Sequence, residues 1–149
     1  MINAKDLLNE NLKGHFRPNE VISRSETAYT FHAVDIRNQQ QIIIKYYLDH
    51  SESIIRDEIQ SAVRLQAQAR SESTVPVIDF GEHKSGGFWV VLEKQKSPNL
   101  LRYLRGQGRC QPAQVVQILD RVCDALAPLH EEKRIHGNLK PTNLFLGPN

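Results

Sequence analysis

The chain has 149 residues, of which 40% are hydrophobic and 24% are charged, a composition typical of a globular domain. Its 19 Lys and Arg against 17 Asp and Glu leave a net charge of +2, too mild to indicate a nucleic acid or an anionic membrane as a partner. Two cysteines, Cys110 and Cys123, exclude a scaffold of several disulfides and are typical of a reducing compartment. No apolar run approaches the ~20 residues of a membrane span, and residues 1–13 are too polar for a secretory signal. We therefore expect a soluble, cytoplasmic chain that folds as one domain.

The first half of the chain predicts a short helix followed by strands. Asn3 is placed to cap a helix that ends at Gly14. Aromatic and β-branched residues predict strands between Glu20 and Asp35, and the run Ile42–Leu48, apolar on both faces, predicts a buried strand. The remaining predicted elements of this half are a helix with apolar residues at Ile54, Ile55, Ile59, Ala62 and Leu65, and two strands at Val75–Phe80 and Phe88–Leu92 joined by a turn at Gly86–Gly87.

The second half of the chain predicts helices. A short helix is expected at Pro98–Leu104, and Pro112 begins the most regular amphipathic helix of the chain. Asn143–Leu146 predicts a final short strand. Strands with one helix, followed by further helices, indicate the α+β class. The apolar positions of the long helix, spaced i, i+3, i+4 and i+7, are Val115, Ile118, Leu119, Val122, Leu126 and Leu129.

Two charged residues occupy positions that the apolar pattern marks as buried. Lys45 lies within the most apolar strand, and Glu58 lies within the apolar arc of the following helix. Either charge buried alone would cost several kcal/mol, so an ion pair between them is one interpretation. The other is that Lys45 lies on an edge strand and extends to solvent, while Glu58 reaches water past Ala62. Periodicity alone leaves both interpretations open.

The segment after the long helix carries a recognisable motif. Residues 136–146 read His-Gly-Asn-Leu-Lys-Pro-Thr-Asn-Leu-Phe-Leu. This run resembles the catalytic loop of the protein kinase family, H-R-D-L-K-P-x-N before an apolar strand. The resemblance implies a kinase-like α+β fold. The matching positions are His136, Leu139, Lys140, Pro141 and Asn143.

The resemblance extends upstream over most of the chain. The run Ile42–Lys45 resembles the V-A-I-K strand of the family, and Glu58 falls where the glutamate of the N-lobe helix belongs. The run Trp89–Glu93 resembles the strand that enters the hinge between the lobes. The implied organisation is an N-terminal helical extension at 1–15, an N-lobe with an antiparallel sheet and one packed helix at 16–94, and a partial C-lobe at 95–149 that stops after the catalytic-loop strand.

The resemblance also implies roles for particular residues. Lys45, Glu58, Glu93 and Asn143 would bind the nucleotide cofactor, and the resemblance favours an ion pair between Lys45 and Glu58. Lys140 would be a catalytic-loop residue that holds a phosphate, although the sequence alone is equally compatible with a solvated lysine. Asn143 would also be a metal ligand where Mg is bound. The alternative for Asn143, favoured because no Asp-Phe-Gly follows the loop in the chain, is that its side chain only hydrogen-bonds and fixes the loop.

Three departures from the family pattern affect the chemistry. The glycine-rich loop that covers the nucleotide aligns with Ser23–Thr30, which contains no glycine and carries Glu26, a charge that repels phosphate. Asn138 occupies the position of the catalytic aspartate, and a carboxamide does not serve as a base. Gly137 replaces the arginine that in many kinases receives an activation-loop phosphate. All three departures predict weak catalysis or none.

The expected function is therefore that of a pseudokinase: a kinase-like, non-catalytic module that regulates or binds another protein and binds ATP weakly or not at all. The alternative is the N-terminal part of an active ATP-dependent Ser/Thr protein kinase whose remaining C-lobe lies outside this chain. A small-molecule kinase is a third reading, ranked lower because that family keeps the aspartate.

Cofactors and partners follow from the same resemblance. No cofactor follows from the residues themselves, and ATP and Mg are those that the resemblance implies. Because the apolar faces of the long helix would lack their usual cover, we expect a protein partner or self-association. We expect no nucleic acid as partner and no membrane segment in the chain.

Overall fold

A computed structural model of the protein describes residues 2–48, 53–68, 72–137 and 139–147, with the backbone alone at 53–56 and 68. The chain divides into two compact units, which are Met1–Gln68 with Pro76–Lys94 and Ala69–Val75 with Gln95–Asn149. The elements in chain order are α1 (Ala4–Leu8), β1 (Phe16–Arg24), β2 (Ala28–Asp35), β3 (Gln40–Tyr47), α2 (Ser53–Gln68), β4 (Val77–Glu82), β5 (Phe88–Glu93), α3 (Leu100–Gln107), α4 (Pro112–Glu131) and a 3-10 helix (Pro141–Asn143).

The first unit is built on a five-stranded antiparallel sheet with the strand order β1-β2-β3-β5-β4. The central strand, β3, pairs with β2 on one side and with β5 on the other. From Ile42 to Tyr47 its side chains alternate between two covered faces, which explains why this stretch is apolar at every position except Lys45. The predicted α+β class, with an antiparallel sheet and a helix packed on it, is confirmed.

The N-terminal segment closes one face of this sheet. Asn3 caps α1 as predicted, but the helix ends at Leu8 rather than at Gly14, because the polar run at 9–11 favours turns over helix. Leu7 of α1 is 0% exposed. The segment at 1–15, expected to be an extension, thus contributes directly to the core of the unit. The core of this face consists of Ala4, Leu7, Leu12, Phe16, Phe31, Ala33, Ile42, Ile44, Tyr46, Leu48, Trp89 and Val91.

Polar contacts also hold the N-terminal segment to β4 and to the turn after it. The carboxylate of Glu10 lies 2.6 Å from Lys84 Nζ and 3.1 Å from His83 Nε2. The hydrogen bond from Lys84 is the main reason that the pKa of Glu10 lies below its ordinary value of 4.5. Farther along, Lys13 Nζ donates to Asp79 Oδ2 at 2.7 Å. An acidic residue of this segment thus contacts basic residues just after β4, and a basic residue of the segment contacts an acidic residue of β4. These contacts fix the position of the segment along β4.

The helix α2 packs on the opposite face of the sheet. Ile59 and Val63 contact a second apolar cluster that contains Phe88 and Val90 of β5. This face also carries Lys45, so the packing of α2 determines the surroundings of the lysine that the sequence singled out.

A buried carboxylate at the end of β2 makes the unit sensitive to acid. Asp35 accepts hydrogen bonds from the Arg37 guanidinium at 2.6 and 2.9 Å and from the Arg37 N–H at 3.1 Å. These bonds lower the pKa of Asp35 from 3.8 to about 2. A carboxyl with a lowered pKa stabilises the fold above its unfolded pKa, and that stability is lost as the pH falls through the folded value.

We expect Asp35→Asn to lower the free energy of unfolding at neutral pH and to flatten its dependence on pH between about 4 and 2. Urea unfolding followed by the fluorescence of Trp89, the one tryptophan of the chain, measures this slope. The variant Arg37→Gln serves as a control, because it removes the other partner and should flatten the same interval. A wild-type slope retained in both variants would contradict the assignment.

The second unit contains α3, α4 and the 3-10 helix. α4 begins at Pro112 as predicted, and none of its residues is fully buried. Of its apolar residues, Ile118, Val122, Leu126 and Leu129 are half-buried, whereas Val115 is exposed by 42%, Val116 by 66% and Leu119 by 57%. Within the ranges that the structure describes, no helix combines the length and the apolarity needed to cross a membrane.

The strand predicted at Asn143–Leu146 is not formed. Asn143 instead ends the 3-10 helix, and Phe145 makes a single β-bridge with Asn99. Only two hydrogen bonds join this segment to the backbone at 98–100, from Leu100 N–H to Leu144 O and from Leu146 N–H to Pro98 O, because the backbone turns into α3 at Leu100 and is no longer extended.

Candidate functional site

Lys45 lies on β3, on the face of the sheet that α2 covers. Its cross-strand neighbours are Thr30 on β2 and Val90 on β5, and it shares the face with Ile43 and Tyr47. Its ammonium lies 4.7 Å from the centre of the Tyr47 ring, a cation–π contact. Because β3 is the central strand of the sheet, the interpretation that placed Lys45 on an edge strand is wrong.

The ion pair predicted between Lys45 and Glu58 is not formed in this structure. Among the described residues no ion pair joins the two side chains, and Glu58 is exposed. The predicted apolar arc included Ala62, but Ala62 is exposed and α2 packs through Ile59 and Val63. Each residue turns a helix by about 100°. When α2 packs through Ile59 and Val63 and not through Ala62, the helix is rotated about its axis relative to the predicted orientation, and Glu58 faces water. Glu58 stays hydrated there, and Lys45 uses the Tyr47 ring instead.

The β1–β2 turn occupies the place of the nucleotide-covering loop and is closed by its own serine. The N–H groups of Thr27 and Ala28 donate to Ser25 Oγ at 3.3 and 3.0 Å, and Ser25 N–H donates to Ala28 O at 2.9 Å. No residue from 23 to 28 adopts a positive φ. In a phosphate-binding loop such N–H groups point at the ligand. Here all three of these N–H groups are used within the turn, and Glu26 is exposed beside them, so these residues do not fit a triphosphate.

Glu93, predicted as a hinge residue, ends β5. Its side chain is exposed, it pairs across the sheet with Ile42, and its N–H donates to Pro76 O at 3.0 Å. The backbone of Glu93 is therefore anchored within the first unit. Its predicted contact with a nucleotide remains a prediction.

The catalytic-loop segment is an exposed loop of the second unit. Gly137 has a φ of +69°, a left-handed conformation that glycine adopts without strain. Asn138 lies outside the described residues. Lys140 is exposed and precedes the 3-10 helix, where Asn143 N–H donates to Lys140 O at 2.9 Å. This bond fixes the backbone that carries Asn143.

The predicted site residues are divided between the two units. Lys45, Glu58 and Glu93 lie in the first unit, and Lys140 and Asn143 lie in the second. In the described part of the chain, no group of three or more His, Cys, Asp or Glu is arranged to hold a metal ion. The side-chain oxygen of Asn143 is of the type that Mg accepts, which agrees with the role that the resemblance implies. That role stays a prediction.

Two residues that shape the site were not singled out from the sequence. Ser25 closes the β1–β2 turn, and its spacing from Thr27 is a signal for a serine-based turn. Tyr47 holds the ammonium of Lys45, and its position two residues along the same strand places it on the same face.

A five-stranded antiparallel sheet with a lysine on its central strand, followed by helices and a His-x-x-Leu-Lys-Pro-x-Asn loop, defines the class of kinase-like folds. A family model described as the protein kinase domain matches residues 16–149. The chain belongs to the protein kinase family. Its fold is that of a kinase N-lobe with the start of a C-lobe.

Bacterial serine/threonine-protein kinases are similar to this chain. PrkC of Bacillus subtilis (strain 168) is 25% identical over 146 residues, covering 94% of this chain and 22% of that kinase. The kinase pkn3 of Myxococcus xanthus is 25% identical over 139 residues, covering 89% of this chain and 25% of that kinase. PknE of Mycobacterium tuberculosis is 24% identical over 135 residues, covering 89% of this chain and 24% of that kinase. The chain thus spans a quarter or less of the length of these curated relatives.

Proposed function

We propose that the chain is a kinase-like module without catalytic activity that binds or regulates another protein. The observation that carries the proposal is the β1–β2 turn. Ser25 Oγ accepts the N–H groups of Thr27 and Ala28, so these donors are not directed at a phosphate. Glu26, exposed in the same turn, adds a charge of the wrong sign. On this geometry ATP binds weakly or not at all.

Two further features support the same proposal. Lys45 lies over the Tyr47 ring and is not paired with Glu58, whereas active kinases need this lysine paired with the helix glutamate. Asn138 places a carboxamide where the family has an aspartate that accepts the substrate proton. Phosphoryl transfer would therefore lack both a positioned phosphate and a base.

The second candidate function is the N-terminal part of an active ATP-dependent Ser/Thr protein kinase. Lys45, Lys140 and Asn143 keep the family residues, and the similar bacterial proteins are named as serine/threonine-protein kinases. The coding sequence beyond Asn149 separates the candidates: an Asp-Phe-Gly followed by further C-lobe helices would favour the enzyme, and a stop codon would favour the proposed module.

The exposed apolar residues of α4 support a protein partner or a second copy as the binding partner. Both cysteines are free thiols, which supports the proposed cytoplasmic location. The mild net charge of +2 supports the proposal that nucleic acid is not a partner.

We expect Asn138→Asp to leave phosphotransfer at background. The substitution restores the carboxylate, but it does not open the turn closed by Ser25 or remove Glu26. The measurement is transfer of radiolabelled phosphate from ATP with Mg to casein and to the chain itself.

The control is Lys45→Ala in the Asn138→Asp background, which defines the background rate. Transfer by Asn138→Asp that Lys45→Ala abolishes would contradict the proposal, because it would show that the missing base is the only defect.

A further inference from the structure

The second unit separates its charges along the chain. From Gln95 to Leu119 there are four Lys or Arg and no Asp or Glu. The four acidic residues that follow Glu93 all lie between Asp120 and Glu132, on α4 and at its end. α4 therefore carries the acidic charge of this region, and α3 with the segments beside it is basic.

Four exposed cations lie on α3 or within four residues of its ends. Arg102 and Arg105 are three residues apart on α3, a spacing that places their Cβ atoms about 5–6 Å apart on one side of a helix. Lys96 precedes the helix and Arg109 follows it. All four side chains are exposed, whereas the apolar residues of α3 are half-buried. We call Lys96, Arg102, Arg105 and Arg109 the α3 basic surface.

No acidic side chain neutralises the α3 basic surface within the part of the chain that the structure describes. On α4, by contrast, Arg121 lies 4.0 Å from Asp124. Arg105 lies in the last turn of α3, where a cation also stabilises the helix dipole. Arg102 and Arg109 do not lie in the last turn of α3. A guanidinium group is planar, and two of its N–H donors match the two oxygens of a carboxylate.

An exposed aromatic side chain lies at the start of α3. Phe145 forms a β-bridge with Asn99, the residue that caps α3, and Leu100 N–H donates to Leu144 O at 2.7 Å. The Phe145 side chain is 43% exposed. Arginine and aromatic residues, including Phe, are enriched at protein interfaces, so the surroundings of α3 are suited to a contact.

We propose that the α3 basic surface docks a short acidic segment of a partner protein. Carboxylates spaced along an extended peptide would pair with Arg102 and Arg105, and an apolar residue of the peptide would cover Phe145. α3 has eight residues and is roughly 12 Å long, which corresponds to about four residues of an extended peptide. The surface therefore fits a short motif.

A nucleic acid or an anionic membrane fits this surface less well than an acidic peptide. The net charge of the whole chain is only +2, and the acidic residues of α4 belong to the same unit. A long polyanion responds to the charge of the whole unit, which the acidic residues of α4 reduce, whereas a short peptide needs only a local group of cations. The proposal does not depend on whether the chain binds nucleotide, so it can fail or succeed separately from the function proposed above.

The test is a fluorescence anisotropy titration of the full chain against a short fluorescein-labelled peptide of Asp and Glu residues around one Leu. We expect saturable binding that weakens between 0.1 M and 1 M NaCl, where the Debye length falls from about 10 Å to about 3 Å. Arg102→Gln with Arg105→Gln should weaken binding by about tenfold or more. The matched control, Arg121→Gln with Arg134→Gln, removes the same charge from the same unit and should stay within about twofold of wild type.

Three outcomes would overturn the proposal: no saturable binding by the wild type, equal weakening in both double variants, or tighter binding of a uridine oligonucleotide or of phosphatidylserine vesicles than of the peptide. A peptide with Asn and Gln in place of Asp and Glu should not bind. All four substituted side chains are exposed, so we expect each variant to fold. A thermal melt of each variant checks this.

Discussion

Replacing Leu7 by alanine should destabilise the first unit by about 3 kcal/mol. Leu7 is 0% exposed and lies in the same apolar cluster as Phe16 and Trp89, so the truncation removes buried methyl groups and leaves a cavity. Urea unfolding followed by Trp89 fluorescence reports on this cluster directly, because Trp89 is the one tryptophan of the chain.

Leu8→Ala is the matched control for this prediction. Leu8 lies on the same helix but is only half-buried, so its truncation should cost less than half as much as that of Leu7. A loss below about 1 kcal/mol for Leu7→Ala would show that the N-terminal segment is a detachable extension and not part of the core.

Gly87→Ala should lower the free energy of unfolding at least as much as Leu7→Ala does, by about 3 kcal/mol or more. A Cβ at this position would overlap the hydroxyl and the ring of Tyr46. Tyr46 is fully buried, and its hydroxyl lies 3.1 Å from His83 Nδ1 and 2.9 Å from Ser85 Oγ. The ring cannot move aside without breaking these buried hydrogen bonds, so overpacking and an unsatisfied polar group add together. The measurement is thermal unfolding followed by far-UV circular dichroism.

The control substitution has the opposite expected sign. Gly106 lies within α3, and a Cβ there would meet no atom within 4 Å. Gly106→Ala should therefore stabilise the helix by about 0.5–1 kcal/mol. If Gly87→Ala were as well tolerated as Gly106→Ala, the close packing of Tyr46 against the β4–β5 turn would be contradicted.

The elements of the fold were largely predictable from local pattern. Apolar runs on both faces identify a central strand, which is what β3 is, and Asn3 and Pro112 mark helix starts because caps and first-turn prolines act locally. The end of α1 was not predictable in the same way. Leu12 continues the apolar pattern of the predicted helix. In the structure it lies in a turn beyond the end of α1 and is buried there.

The candidate site was less predictable than the fold because it depends on the rotation of a helix. Whether Glu58 meets Lys45 is decided by which face of α2 packs on the sheet. The predicted apolar face included Ala62, but alanine occurs on buried and on exposed faces of a helix, so it does not identify the packed face. The absence of glycine in the β1–β2 turn was visible in the sequence. The use of the N–H groups of Thr27 and Ala28 by Ser25 required the structure.

We propose that this member of the protein kinase family binds ATP weakly or not at all, because its β1–β2 turn does not hold the phosphates. A calorimetric titration of the full chain with ATP and Mg tests it most directly, alongside a variant carrying Ser23→Gly, Ser25→Gly and Ala28→Gly. We expect no saturable heat for the wild type and a melting temperature unchanged by ATP and Mg, with any gain in ATP binding confined to the glycine variant. Saturable binding by the wild type that Lys45→Ala abolishes, with stabilisation of about 2.7 kcal/mol at a hundredfold excess over Kd, would contradict it.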